Sequence, residues 1–109
     1  MIPKIVVDDK INEIKKPWSP IVIARVNDQV IRLAMFKGTY PFHKHDNEDE
    51  LFYVLRGSII IQIEKSHQKL VLNQGEMAVI PKGKKHSPTS EEESYVLMFE
   101  PAALKSSGD

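Results

Sequence analysis

Two histidines one residue apart, His43 and His45, followed at once by the acidic run Asp46, Glu48, Asp49 and Glu50, constrain this chain more than any other feature. On an extended strand, residues i and i+2 point to the same face, with Cα atoms roughly 6–7 Å apart. The two imidazoles therefore stand side by side and can share one cation at metal–nitrogen distances of about 2.0–2.1 Å. An acidic residue opening the next strand can add a hard oxygen donor. The apolar run Leu51 to Leu55 follows, and Gly57 closes the stretch. Much later, GEMAVIPKGKKH supplies a glycine, an apolar strand, Pro81, Gly83 and a lone His86.

Together these two stretches resemble the paired motifs of the cupin superfamily. The first family motif is written G-x5-H-x-H-x(3,4)-E-x6-G. Here Gly38 is followed by four residues, then His43-x-His45, four residues, Glu50, six residues and Gly57. The second is written G-x5-P-x-G-x2-H-x3-N, and here Gly75, Pro81, Gly83, His86 and Ser90 occupy its positions. Two departures stand out: the gap after Gly38 is one residue short, and Ser90 replaces the terminal Asn, which is not a ligand in the family. The resemblance implies a small jelly-roll barrel, the double-stranded β-helix, with one divalent transition metal held by His43, His45, Glu50 and His86. Asp49 lies at the shorter spacing that the family allows after His45, but the six residues before Gly57 select Glu50.

With 109 residues, the chain is read as one domain, 1–109, large enough for a single core, with its motifs at 38–57 and 75–90. Lysine plus arginine equals aspartate plus glutamate at 15 each, so nothing supports a nucleic-acid footprint, which needs clustered excess positive charge. Without cysteine there is neither a disulfide frame nor a thiolate metal site. No apolar run approaches the ~20 residues of a membrane span, and the N-terminus lacks an apolar signal region. The expected location is the cytoplasm.

Turn signals divide the chain into eight to ten short strands, which predicts an all-β sandwich or barrel. The expected strands run Ile2–Val7, Ile21–Val26, Val30–Lys37, Tyr40–His45, Glu50–Arg56, Ile59–Glu64, Lys69–Leu72, Glu76–Ile80, Lys85–Ser87 and Ser94–Glu100. A helical turn can form after Asp8 and another at Ala102–Leu104, before a polar end, and Thr89–Glu93 reads as a polar loop. If Glu50 points inward, Phe52 and Val54 line the barrel while Leu51, Tyr53 and Leu55 face out. Leu51–Leu55 and Ile59–Ile63 are apolar on both faces, so the outer face should be covered by N-terminal strands or by a partner chain. A homodimer, the commonest closed oligomer, is expected.

Other residues carry weaker readings. His67 sits in a polar turn and reads as solvated. Lys82, Lys84 and Lys85 read as a solvated turn, with a positive rim for an anionic substrate as the sharper alternative. Trp18, Tyr40 and Phe42 are candidates for a pocket wall, although aromatics in a small β-protein more often fill the core.

Three imidazoles and one carboxylate favour a divalent first-row ion, with iron, manganese, nickel and zinc all open. The resemblance implies a metalloenzyme acting on a small oxygen-rich organic molecule, by dioxygenase- or isomerase-type chemistry, with a sugar or sugar phosphate among the substrates. The alternative is a small-ligand-binding or sensing module whose metal is structural. Cupins with this ligand set span many reactions, so the resemblance specifies fold and metal better than chemistry.

Overall fold

Among the described residues, seven strands rich in β-branched and aromatic residues build the molecule, as their propensity for a pleated, half-buried surface requires. The computed structural model describes residues 1–105, 107 and 108. A short helix, α1 (Val7–Ile11), precedes β1 (Ile21–Val26), β2 (Gln29–Thr39), β3 (Glu50–Arg56), β4 (Ser58–Ile63), β5 (Lys69–Asn73), β6 (Met77–Ile80) and β7 (His86–Pro101). The strand order β1-β2-β7-β3-β6 forms one antiparallel path, and β4 joins β7 on one side and β5 on the other. The architecture is a cupin-type jelly-roll barrel.

Strand β7 organises the barrel. Its first residues, His86 to Thr89, pair with β4, while Tyr95 to Phe99 pair with β3, and β2 follows it through both halves. One strand therefore links the β3 side of the sheet to the β4 side. The bend falls where Glu91, Glu92 and Glu93 stand opposite the single Lys37, between the pairs Phe36–Ser94 and Gly38–Ser90. Such an insertion raises local twist and leaves its residues to solvent, and all three glutamates are exposed. The segments read from sequence as a short strand, a polar loop and a final strand are thus one strand with a bulge.

Alternation decides what fills the interior. In β3, Glu50, Phe52 and Val54 are buried while Leu51, Tyr53 and Leu55 are only partly so. Ile59 and Ile61 of β4 join Phe36, Phe52, Val54, Leu72, Ile80, Val96 and Met98 in one core cluster. Each such side chain contributes about 1.5–3 kcal/mol over remaining exposed. On the opposite parity, Leu33 and Met35 of β2 are also buried, so the chain itself covers part of its outer face.

Two expected strands are absent. Residues 1–6 form no strand, and Ile2 lies almost fully exposed, because a β-strand needs a partner ladder and none reaches this segment. Tyr40–His45 is not a regular strand either: it carries only an isolated bridge between His43 and His86. Pro41 lacks the N–H that a ladder needs. The turn at Ala102–Leu104 forms, with Leu104 N donating to Pro101 O at 3.0 Å. At the polar end, Ser106 and Asp109 lie outside the described residues.

Glycine is required at Gly57, between β3 and β4. Its φ is +91°, and a Cβ there would lie 2.8 Å from Ser94 Cβ. The close approach lets Ser58 N donate to Ser94 Oγ at 3.1 Å. Ser90, where the cupin pattern has Asn, is buried and donates to Ser58 O at 3.1 Å, so it ties β7 to β4.

Candidate metal centre

The two motifs meet through backbone before their side chains do. His43 N donates to His86 O at 3.1 Å, and His86 N donates back to His43 O at 2.9 Å. Gly83 N donates to His45 O at 2.8 Å, and Lys82 N donates to Asp49 Oδ1 at 2.9 Å. Asp49 thus holds the second motif's turn, while Glu50, one residue on and of opposite parity, points inward.

This stitching brings His43, His45, Glu50 and His86 together, with one donor atom from each lying within 4.8 Å of the others. Two donors on one ion at ~2.1 Å are separated by at most ~4.2 Å, so small side-chain rotations close the set. His45 Nε2 and His86 Nε2 lie 3.4 Å and 3.5 Å from Glu50 Oε1. His86 Nε2 and Glu50 Oε1 are fully buried without a hydrogen-bond partner. Burying such groups unsatisfied costs ~1–3 kcal/mol each, more for a charged one, and a cation would satisfy both.

The tautomers are prepared as well. His86 Nδ1 lies 2.8 Å from Lys84 O, and His43 Nδ1 lies 3.0 Å from Pro41 O. A carbonyl can only accept, so each Nδ1 carries a proton, which leaves Nε2 as the nitrogen available to a metal ion. Burial lowers the His43 pKa below its ordinary value, and His86 adds to this, against the raising effect of the Pro41 carbonyl. His43 is therefore neutral and ligand-competent near pH 7. For Glu50, burial favours the neutral acid, but contacts with His45, His86 and Glu100 outweigh it and hold the carboxyl well below its usual range. Three imidazoles around one carboxylate make a donor set that fits a divalent ion.

Behind Glu50 lies a pair that the motifs do not contain. Glu100 of β7 is buried and accepts a hydrogen bond from Arg32 of β2. Burial, then the neighbouring Glu50, push the Glu100 pKa up, and Arg32 only partly opposes them. Glu100 consequently keeps the proton while Glu50 stays anionic. The parity of Arg32 among apolar neighbours in β2 was the one sequence signal that could have marked it as inward-facing.

A cavity opens beside the cluster. Its empty space is about 380 Å³, partly open to solvent, and about 40 Å³ of this admits the centre of a water molecule. Trp18, Pro20, Phe36, Phe52, Pro88 and Met98 form its apolar walls, and Tyr40, His43 and Glu50 also line it. Trp18 and Tyr40 are therefore pocket residues, whereas Phe42 is exposed outside it. Lys82, Lys84 and Lys85 are exposed, and none of them lines the cavity. His67 is exposed in its turn.

A jelly-roll barrel with a histidine–carboxylate cluster beside a cavity is the arrangement of a cupin with a candidate metal site. The profile of the Cupin_2 family, described as a cupin domain, matches residues 32–100, and the chain belongs to that family. YdbB, an uncharacterized protein of Bacillus subtilis, is 40% identical over 79 residues, which is 72% of this chain and 69% of YdbB. A cupin-2 domain containing protein from Shewanella frigidimarina superposes with a TM-score of 0.85 at 38% identity, covering 89% of this chain and 93% of that one. A protein from Neisseria meningitidis superposes with a TM-score of 0.83 at 26% identity, covering 92% and 100%. Among the described residues, no helix is long and apolar enough to cross a membrane.

Proposed function

We propose that the protein is a metal-dependent cupin enzyme in which His43, His45, Glu50 and His86 hold one divalent transition ion and a small oxygen-bearing organic molecule binds in the adjacent cavity. One observation carries this reading: His43 and Glu50 belong both to the donor cluster and to the cavity lining. A molecule in the cavity would therefore lie against the open side of the donor set. Bound there, a divalent ion would supply Lewis-acid polarisation of an oxygen donor and a site for an activated water or dioxygen. The chain's own part is to fix the imidazoles through Pro41 O and Lys84 O, to keep Glu50 anionic, and to exclude water with apolar walls. Dioxygenation or enolisation fits this arrangement. A sugar phosphate does not, since among the described residues no lysine or arginine lines the cavity.

A second reading, a ligand-binding module with a structural metal, is favoured by the sparse chemistry of the walls. Apart from the proposed ligands, the Tyr40 hydroxyl is the one side chain there able to exchange a proton with a substrate. The two readings separate by experiment. The protein is loaded in turn with iron, manganese, nickel and zinc and supplied with a diol or an enolisable carbonyl compound. Metal-dependent dioxygen uptake, or exchange of the carbon-bound α-hydrogen with solvent deuterium, supports the enzyme. Tight binding without turnover under any metal supports the module.

A homodimer is proposed from the outer face. Val79, Leu51 and Phe99 are register neighbours across β6, β3 and β7, with Val79 54% and Phe99 40% exposed, and Met77 lies two residues from Val79 at 58%. Sedimentation at micromolar concentration is expected to give twice the 12.4 kDa chain mass, and a monomer alone would remove the proposal.

A further inference from the structure

Trp18 adopts a backbone conformation that few side chains tolerate. Its φ is +60°, in the left-handed region that favours glycine. Two hydrogen bonds keep it there: Trp18 N donates to Met35 O at 2.9 Å, and the indole Nε1 donates to Lys37 O at 2.9 Å. Both acceptors belong to β2, so a rigid strand clamps the ring in place. The indole packs against Phe36 at 4.5 Å and Tyr40 at 5.1 Å between ring centroids, and Tyr40 in turn meets His43 at 5.1 Å. An aromatic wall therefore runs from Trp18 to a proposed metal ligand. Strain held in this way concentrates at ligand clamps, and the ring it positions lines the cavity.

The cavity walls limit what can enter. The indole N–H is already committed to Lys37 O, and among the lining side chains the polar groups left are Tyr40, His43 and Glu50. All other lining side chains are apolar. A polyhydroxylated ring would bury several hydroxyls with nothing to pair them. A flat ring with one or two adjacent oxygens would aim those at the metal and leave only carbon against the walls. Size agrees: the 40 Å³ open to water centres corresponds to about three or four waters, or one small ring in their place.

We propose that the cavity takes a single flat aromatic or conjugated ring carrying adjacent oxygen donors, and that Trp18, clamped on β2, is the residue that selects it. The proposal deepens the metal-site reading and rests on it.

Trp18 is the chain's single tryptophan, so its fluorescence reports on this wall alone. Catechol and glucose 6-phosphate are titrated separately into zinc-loaded and metal-free protein, after zinc binding has been measured by calorimetry. Catechol is expected to quench Trp18 and to bind the zinc form tighter than glucose 6-phosphate by at least about tenfold, the cost of one buried hydroxyl left unpaired. Trp18→Gly removes the ring and suits the positive φ. By calorimetry it should weaken catechol at least about tenfold with zinc affinity unchanged, its fold checked by circular dichroism. Zinc binding with glucose 6-phosphate favoured, or catechol affinity unchanged in Trp18→Gly, overturns the ring proposal and leaves the metal site standing. Failure to bind any metal removes the metal reading. The ring proposal is then decided on the metal-free protein, where catechol quenching supports it and its absence overturns it.

Discussion

Glu50→Gln is expected to lower divalent-metal affinity by more than about 100-fold, exceeding the 10–100-fold typical of a partner outside the ligand set. Glu50 is the one carboxylate in the cluster, and its Oε1 lies within 3.5 Å of two histidine nitrogens. Glutamine keeps the shape and one oxygen but loses the charge that balances the ion. His86→Ala should be comparably damaging, because His86 is the donor contributed by the second motif. Asp49→Asn should leave affinity within about twofold, well short of a lost ligand, since Asn retains the Oδ1 that accepts from Lys82 N. Acidification should release metal, because only neutral imidazole ligates. The His43 pKa lies below its ordinary 6.5, so His43 resists protonation to a lower pH than a free histidine. The sign for the metal-free protein follows from the same shift. An unfolded chain takes up the proton as pH falls through about 6.5 while the folded chain does not, so stability present above that value declines below it. Metal titrations of the four proteins, each checked for native folding, measure the contrast. Equal affinity in wild type and Glu50→Gln, or a larger loss in Asp49→Asn, would assign the wrong carboxylate. Unchanged affinity in His86→Ala would leave the second motif structural.

Most of what positions the cluster was legible because it is local. H-x-H spacing, strand parity around Glu50 and the Pro81–Gly83 break depend on a few adjacent residues, and the buried Glu50, Phe52 and Val54 follow from alternation alone. The bridge that replaces the expected H-x-H strand was not legible, because it forms between segments 43 residues apart. The continuity of β7 was hidden for a related reason. Three consecutive glutamates look like a loop, but pairing on both sides of a bulge carries the strand through them. Trp18 was readable as an aromatic beside two prolines. Its positive φ was not, since that conformation is imposed by acceptors on β2 and not by its neighbours in sequence.

Arg32→Ala should destabilise the fold by about 1–3 kcal/mol, the cost of leaving a buried carboxyl without its hydrogen-bond partner. The Arg32 side chain is 14% exposed and that of Glu100 is fully buried. Arg32 also donates to Leu104 O and Ala102 O, each at 3.2 Å, so it fastens the turn after β7 as well. The range is that of a lost hydrogen bond and not of a broken ion pair, because Glu100 already favours its proton and a neutral carboxyl is far cheaper to bury than a carboxylate. Without the guanidinium, the one group that opposes ionisation being lost disappears, and the Glu100 pKa should rise further. A raised carboxyl pKa carries a definite sign. The unfolded chain ionises near 4.5 while the folded one holds its proton, so folding stability falls as pH rises above that value. The deficit of Arg32→Ala relative to wild type should therefore widen towards alkaline pH. Urea unfolding of metal-free wild type, Arg32→Ala and the double variant Arg32→Met with Glu100→Gln, across a pH series, tests this. The double variant should recover most of the loss and show a weaker pH dependence, because its buried amide cannot ionise. If the deficit of Arg32→Ala is instead flat with pH, then Glu100 is not held as a buried acid behind Glu50.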